Sequence, residues 1–296
     1  MESHRRIPTA FQPQSLNLAI IGLIILLYAP VIVHWYDGWL NKNISIEHEY
    51  FSHGIIGLPF AAYIAWTHRH PWAELPNQTD PFGGILLGLA GALYLSGVSD
   101  LVNLSFPLVL AGLCLWFKGM PGFKLQQIPL LFTFLATPNH LPYLIEPLAL
   151  PLQQFIATVA GFILLQFNLD VTVDQIYLFV NGQTVEVAPH CAGLKMLFTS
   201  LYVALMLLYW TGLLSSRNKS MMVLVGAVAL SVTANIIRNT MLSLFHGTGQ
   251  DGLFYWLHDS WGGDVYSAAM LGMLVVLVNW VQDYFVDVAE PESKES

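Results

Sequence analysis

The sequence predicts an all-α polytopic membrane protein. Of its 296 residues, 55% are hydrophobic and only 10% charged, mean hydropathy is +0.57, and apolar stretches recur at about 17 to 25 residues, the length that crosses a bilayer core. Those stretches use up most of the chain. One membrane domain over residues 1–296 is therefore expected, with a cytoplasmic N-terminal segment (1–15), an acidic cytoplasmic tail (286–296) and no large soluble part. The net charge of -8 argues against a nucleic-acid partner and leaves membrane lipid as the surrounding medium. The two cysteines, Cys114 and Cys191, have no metal-type spacing, so no metal and no cofactor are expected. Cys114, in Leu113-Cys114-Leu115-Trp116, reads as a small packing residue.

The first apolar span, 16–34, follows Arg5 and Arg6. It is too long for a signal-peptide core and no small-residue cleavage site follows, so it reads as a retained anchor. Further spans fall at 54–66, 82–98, 101–117 and 125–137, then a long stretch at 144–167, then 194–210, 221–237 and 265–285. Basic residues mark alternate connections: Arg5 and Arg6, Arg69, Lys118 and Lys124, Arg217 and Lys219, and Lys294. The positive-inside rule makes these cytoplasmic and leaves Lys42, Lys195 and Arg238 toward the other side. Four spans up to residue 117 return the chain to the cytoplasm, whereas the segment before Leu194 must lie outside. Residues 125–190 must then cross an odd number of times, most economically once. Pro138, Pro142, Pro147 and Pro151 make 144–167 the re-entrant or interfacial segment. About eight transmembrane helices result, with both termini inside.

Residues 171–187 have a different pattern. Val171, Val173, Ile176, Leu178 and Val180, then Val185 and Val187, flank Asn181-Gly182, a strong short hairpin signal. A small extracytoplasmic β-hairpin is expected to lead into the segment that follows.

That segment, Pro189-His190-Cys191-Ala192-Gly193-Leu194-Lys195, reads as a helix opening with Pro189 in its first turn. A thiol at a helix N-terminus meets orphan N–H groups and the positive end of the dipole, both of which favour thiolate, so Cys191 is the candidate nucleophile. Asn235 and Arg238 lie three apart, on one helix face, at the expected outer end of their span. An ionisable group in such a place costs about 2.5 to 3.5 kcal/mol, which makes it a functional-site candidate by default. A guanidinium stays charged and offers five donors, suiting an oxyanion or a carboxylate, while Asn235 can orient it or add a donor. His258, in Leu257-His258-Asp259-Ser260-Trp261-Gly262-Gly263, precedes the last span. It is the candidate general acid/base, with Asp259 or Asp264 to hold its tautomer. Each residue alone has a blander reading: a packing cysteine, an arginine snorkelling to headgroups, a histidine in an aromatic belt with Trp256 and Trp261. His190 is a rival base. What favours chemistry is that three separate spans deliver Cys191, Arg238 and His258 to one membrane face, the parts of an acyl-transfer site.

At these residues the chain resembles the exosortase/archaeosortase family of integral-membrane cysteine transpeptidases. The family's Cys-Ser/Ala-Gly, Asn-x-x-Arg and His-x-x-x-Gly stretches are read here as Cys191-Ala192-Gly193, Asn235 to Arg238, and His258 to Gly262. Tyr50-Phe51-Ser52-His53-Gly54 is similar to the family's aromatic-Ser-His-Gly stretch before an early span, and the resemblance covers about residues 50–280. Ala192 stands where Ser is most common, which removes a hydroxyl donor but keeps the backbone N–H. Pro189-His190 looks like the cyanobacterial branch, of cyanoexosortase B type. The resemblance implies catalytic Cys191, Arg238 and His258, with Asn235, Gly193, Ala192, Asp259 and His53 in support. It further implies a plasma (inner) membrane location with the site at the extracytoplasmic face. The implied partners are exported proteins ending in a Pro-Glu-Pro signal, a transmembrane helix and a basic tail, cleaved there and transferred to a surface acceptor. Acidic Asp283, Asp287, Glu290, Glu292 and Glu295 are candidates to attract that basic tail.

Two other classes compete. A transporter or channel with Arg238 and His258 lining a polar path would be expected to show internal repeats and matched helix breaks, which the sequence lacks. A metal-dependent intramembrane hydrolase using His190, Cys191 and His258 lacks an H-E-x-x-H or carboxylate cluster.

Overall fold

The computed structural model describes residues 13–40, 50–187 and 193–287. The expected roles of Arg5, Arg6, Lys42, Lys294 and the tail beyond Asp287 fall outside these residues. The chain forms two compact units, one from the described residues up to 48 with Ile64–Pro138, the other from those in 49–63 with Asn139 onward.

The first unit contains α1 (Pro13–Leu40), α3 (Arg69–Glu74), α4 (Pro81–Leu95) and α5 (Ser99–Ala136). Asp80 starts α4 by accepting the Phe82 N–H at 2.9 Å, with Pro81 in the first helical position where no N–H is needed. The polar groups of α1 and α5 find each other: Tyr28 Oη and Ser105 Oγ are 2.8 Å apart, and Trp35 Nε1 donates to Asn103 Oδ1 at 2.8 Å. In apolar surroundings such bonds and close packing, more than hydrophobic burial, join helices. α5 is one helix only in name. Gly119, at φ 61° and ψ -157°, breaks it. A Cβ on Gly122 would lie 3.1 Å from the carbonyl oxygen of Cys114, which a straight helix would hold about 12 Å away along its axis. Two apolar segments thus meet at a sharp turn, matching the expected spans 101–117 and 125–137. Lys118 at this turn is buried and donates to the Leu75 carbonyl at 2.6 Å.

The second unit contains α2 (Gly54–Thr67) up to Tyr63, then α6 (Leu141–Leu165), a β-sheet, α7 (Leu194–Trp210), α8 (Arg217–Gly247), α9 (Asp251–Asp259) and α10 (Trp261–Asp287). α7, α8 and α10 share a core of Val203, Ala204, Leu208, Val223, Ala227, Leu274 and Val278. Among the described residues, four helices are long and apolar enough to cross a membrane (Leu18–Leu40, Ser99–Ala136, Arg217–Gly247, Trp261–Tyr284), and four shorter apolar helices accompany them. The all-α polytopic class is what the sequence led us to expect.

Three local departures matter. The expected hairpin is a three-stranded antiparallel meander of β1 (Val171–Asp174), β2 (Tyr177–Val180) and β3 (Gln183–Glu186). The Asn181-Gly182 turn has φ of 51° and 83°, as a primed turn requires. The earlier turn at Gln175-Ile176 places Gln175 at φ 53° with no glycine to signal it. The prolines do not break the segment around 144–167: α6 runs through Pro147 and Pro151 as one helix. Its Ile156, Ala157, Ala160 and Leu164 pack on Leu178, Val180 and Val187, so the helix is the sheet's floor. Finally, α8 does not end near residue 237 but continues to Gly247, where it meets the sheet through Asn181 Nδ2, which donates to the Gly247 carbonyl at 3.0 Å.

Sheet and floor fit closely at Gly161, where a Cβ would lie 2.3 Å from Val173 Cγ2. Gly161→Ala should lower the thermal unfolding midpoint in detergent, with a cost of about 1 to 3 kcal/mol for overpacking. Gly91→Ala, where a Cβ meets nothing within 4 Å, should leave the midpoint unchanged or raise it.

Candidate active site

One turn of α8 organises the site. Asn235 is 1% exposed and Asn239, one turn on, equally so. Asn239 Nδ2 donates to the Asn235 carbonyl at 2.9 Å and to Asn235 Oδ1 at 3.2 Å. With its oxygen so held, the Asn235 amide points its nitrogen at the start of α7, where a Cβ on Gly193 would lie 2.7 Å from both Asn235 Cγ and Nδ2. Gly193 has φ 80°, so glycine is required here twice, once by the left-handed backbone and once by the asparagine beneath it. The described helix begins at Leu194, after the left-handed Gly193, and the expected helix opening at Pro189 lies outside the described residues. Cys191, Ala192 and His190 lie outside the described residues.

Three residues along α8 from Asn235, Arg238 turns the other way. Its Nη2 donates to the Leu257 carbonyl at 3.5 Å, the long limit of a hydrogen bond, at the residue just before His258. Among the described residues no carboxylate lies within ion-pair distance of Arg238, so most of its donors are uncommitted. Asn235, read from the sequence as able to orient Arg238 or to add a donor, packs under Gly193, and Arg238 bonds to the main chain of α9. The helix itself runs nine residues beyond Arg238.

His258 sits in α9, a short helix that the sequence pattern did not reveal. Its Nδ1 is 2.7 Å from Asp259 Oδ1, a contact that orients the ring with Nε2 away from the carboxylate. The opposite constraint comes from Phe254, one turn earlier, whose ring is stacked 5.2 Å away at 8°. The turn into α10 is built on two glycines. A Cβ on Gly262 would lie 2.5 Å from the Trp256 ring, and one on Gly263 2.9 Å from the Leu257 oxygen that Arg238 uses. That is a packing reason for the His258-to-Gly262 spacing. From α10, Tyr266 Oη donates to the Ala234 carbonyl and closes α10 on the same stretch of α8.

His53 is placed differently. It is 6% exposed and its ring lies 4.4 Å from that of Tyr202, two turns down α7 from Leu194 and about 12 Å along the helix axis. It joins the packing of α2 on α7, where a Cβ on Gly57 would overlap the Tyr202 ring. Asp264, the alternative partner for His258, opens α10.

A cavity of about 180 Å³ lies against these groups, lined by Thr184, Val185 and Glu186 of β3, Asn239, Leu242 and His246 of α8, and Phe254 and His258 of α9. Asn239, His246 and Phe254 were missed by sequence reading. The signal for Asn239 was present, because Ser231, Asn235, Asn239 and Ser243 recur every four residues and all four are buried. Among the described residues no group of three metal-ligating side chains is present.

A family model described as transmembrane exosortase matches residues 35–275, most of the chain, and the chain therefore belongs to that membrane family of sorting transpeptidases. No curated protein and no solved structure matches it significantly.

The contact between Gly193 and Asn235 makes a non-additive prediction. Gly193→Ala should destabilise the protein by more than the roughly 1 to 2 kcal/mol of a left-handed alanine, because the methyl group also meets the amide. Adding Asn235→Ala should recover the excess, so thermal unfolding of the double variant should show less loss than the sum of the two singles.

Proposed function

We propose that this exosortase-family protein is a thiol-dependent transpeptidase, with Cys191 as nucleophile, Arg238 as oxyanion stabiliser and His258 as general acid/base, positioned by Asn235, Gly193 and Asp259. One observation carries the assignment. A single turn of α8 touches both flanking pieces: Asn235 packs under Gly193, two residues after Cys191, and Arg238 bonds to Leu257, one residue before His258. Covalent geometry keeps Cys191 within about 7 Å of Gly193, measured between α-carbons. Family membership supports the same reaction class.

In the reaction, the Cys191 thiolate adds to the scissile carbonyl and the electron pair moves onto oxygen, where the Arg238 guanidinium can receive it. Collapse expels the amine, which takes a proton from His258, and leaves a thioester. The now neutral imidazole removes a proton from the acceptor nucleophile, which attacks the thioester and releases the thiolate. Asp259 holds Nδ1, leaving Nε2 to carry the proton in both halves. Ala192 can contribute its backbone N–H to the oxyanion. His53 acts at a distance, by packing α2 on Tyr202 of α7.

The substrates in this reading are exported proteins ending in a Pro-Glu-Pro signal, a transmembrane helix and a basic tail. The resemblance implies a plasma (inner) membrane location, and the alternation of basic connections supports a site at the extracytoplasmic face. A transporter would tolerate loss of the thiol.

Reconstituted in vesicles with a client of that design, Cys191→Ala should form no product while Cys114→Ala retains processing, both read by mass spectrometry. Arg238→Lys should lower the rate by roughly 100-fold or more, because a point charge lacks the guanidinium fork. Hydroxylamine should release a hydroxamate of the cleaved client from the wild type and Cys114→Ala but not from Cys191→Ala. Normal processing by Cys191→Ala would overturn the assignment.

A further inference from the structure

β3 is an edge strand, paired with β2 on one side and, among the described residues, with nothing on the other. The hydrogen-bonding phase of that free side follows from the two turns. Val180 and Gln183 flank the two-residue Asn181-Gly182 turn and so form the hydrogen-bonded pair that closes the hairpin, and Leu178 with Val185 form the next. The other register agrees: Asp174 and Tyr177 close the first hairpin, so β2 directs Tyr177 and Phe179 to β1 and leaves Leu178 and Val180 for β3. Thr184 and Glu186 therefore turn their backbone N–H and C=O groups outward. Among the described residues, no backbone bond from outside the sheet reaches either residue.

The outward edge faces the site. Side chains alternate along a strand, so three consecutive residues can line one cavity only if the cavity abuts the strand's edge rather than one of its faces. Thr184, Val185 and Glu186 all line the cavity that His258 lines from the other side. Apolar Val185, Leu242 and Phe254 alternate there with polar Asn239 and His246, an environment for a side chain with an apolar stem and a polar end.

We propose that the substrate's recognition segment binds as an extended strand on the free edge of β3, pairing its main chain with Thr184 and Glu186 and lodging one side chain in the cavity beside His258. The inference rests on the transpeptidase reading for its substrate, a peptide, and adds to it the mode of docking. Main-chain pairing supplies affinity at any sequence, and the cavity supplies the choice of side chain. Strand addition also delivers an extended backbone, the form in which a scissile carbonyl is exposed to a nucleophile. The outward groups of Thr184 and Glu186 are about 7 Å apart, a two-residue repeat. A second copy of the chain could occupy the same edge, yet β3 offers only two outward-facing residues, Glu186 would set like charges near each other across such a pair, and the cavity would play no part.

The test uses a fluorescent peptide carrying a Pro-Glu-Pro segment, an apolar helix and an arginine tail, with the amide preceding each non-proline position replaced singly by an ester. Its affinity is measured by anisotropy on full-length Cys191→Ala in detergent, which reads docking without chemistry, and its KM and kcat are measured on the wild type. Weakening by roughly five- to tenfold at positions two residues apart, with little effect between them, is the expected result. KM should follow the same pattern with kcat nearly constant. Thr184→Pro, which removes one outward N–H and is tolerated at a strand edge, should raise KM of the parent peptide similarly while iodoacetamide alkylates Cys191 at an unchanged rate. A flat ester scan in a protein that still processes the peptide would overturn strand docking and leave the transpeptidase standing. Periodic binding without turnover in the wild type would do the reverse. A flat scan together with a Thr184→Pro change in molecular mass by light scattering would assign the edge to a second copy and overturn the proposal.

Discussion

The second unit is organised by one constraint: polar groups on an apolar helix must find partners inside the protein, because lipid offers none. α8 carries Ser231, Asn235, Asn239 and Ser243 on one row, and each is buried. The row therefore has to face other protein, and it fixes the rotation of α8 about its own axis. Once that rotation is set, Asn235 lies under the start of α7, Arg238 reaches the end of α9, and Gly247 meets the sheet. A helix with only apolar residues could slide or roll at little cost. This one cannot, since a roll of one residue, about 100°, would carry four polar side chains toward hydrocarbon.

Glycine is the complement of that row. Gly193, Gly247 and Gly263 stand where the chain crosses Asn235, Val180 and the Leu257 carbonyl, and at each a Cβ would come within 3 Å of the neighbour. The motif spacings that first pointed to chemistry thus have a structural half as well. In Cys191-Ala192-Gly193 the glycine gives the approach to Asn235, and in His258 to Gly262 the glycine admits the Trp256 ring. Candidate catalytic residues and packing residues thus stand side by side within the same short motifs.

The helices were legible in the sequence because length and composition decide whether a segment suits a bilayer. The second hairpin of the sheet was legible through Asn181-Gly182. The first was not, because Gln175 takes a positive φ without the glycine that usually announces it. Composition cannot tell a helix interrupted by proline from one that accommodates it, so α6 was read as broken whereas the sheet packed on it holds it whole. Of the site, Arg238 and His258 were legible because charge in an apolar run is costly. Gly193 was legible only through its motif and Asn239 escaped notice, because a left-handed backbone and a buried amide gain meaning only from the residue each meets, and those partners lie 42 and 4 positions away. α9 was hidden by its length: nine residues are too few for periodicity to separate from a loop.

The presence of a sheet in an otherwise helical membrane protein follows from the same accounting of backbone groups. A helix has already committed its N–H and C=O groups to itself, which is why it can cross a bilayer and also why it has none to offer a ligand along its length. An edge strand keeps half of its groups outward. Such an edge is tolerable only where water or a peptide can reach it, so the sheet belongs outside the hydrocarbon, and the side of α6 that floors it must lie at the same level. Asn181 at the Gly247 end of α8 and Gln153 Nε2 on the Val187 carbonyl, at 2.9 Å, pin both ends of the third strand's neighbourhood to helices. Val187 is the last described residue before the segment that carries Cys191. The chain leaving the sheet toward Cys191 is thereby anchored on α6 at Val187, and the chain arriving after it is anchored on α8 at Gly193.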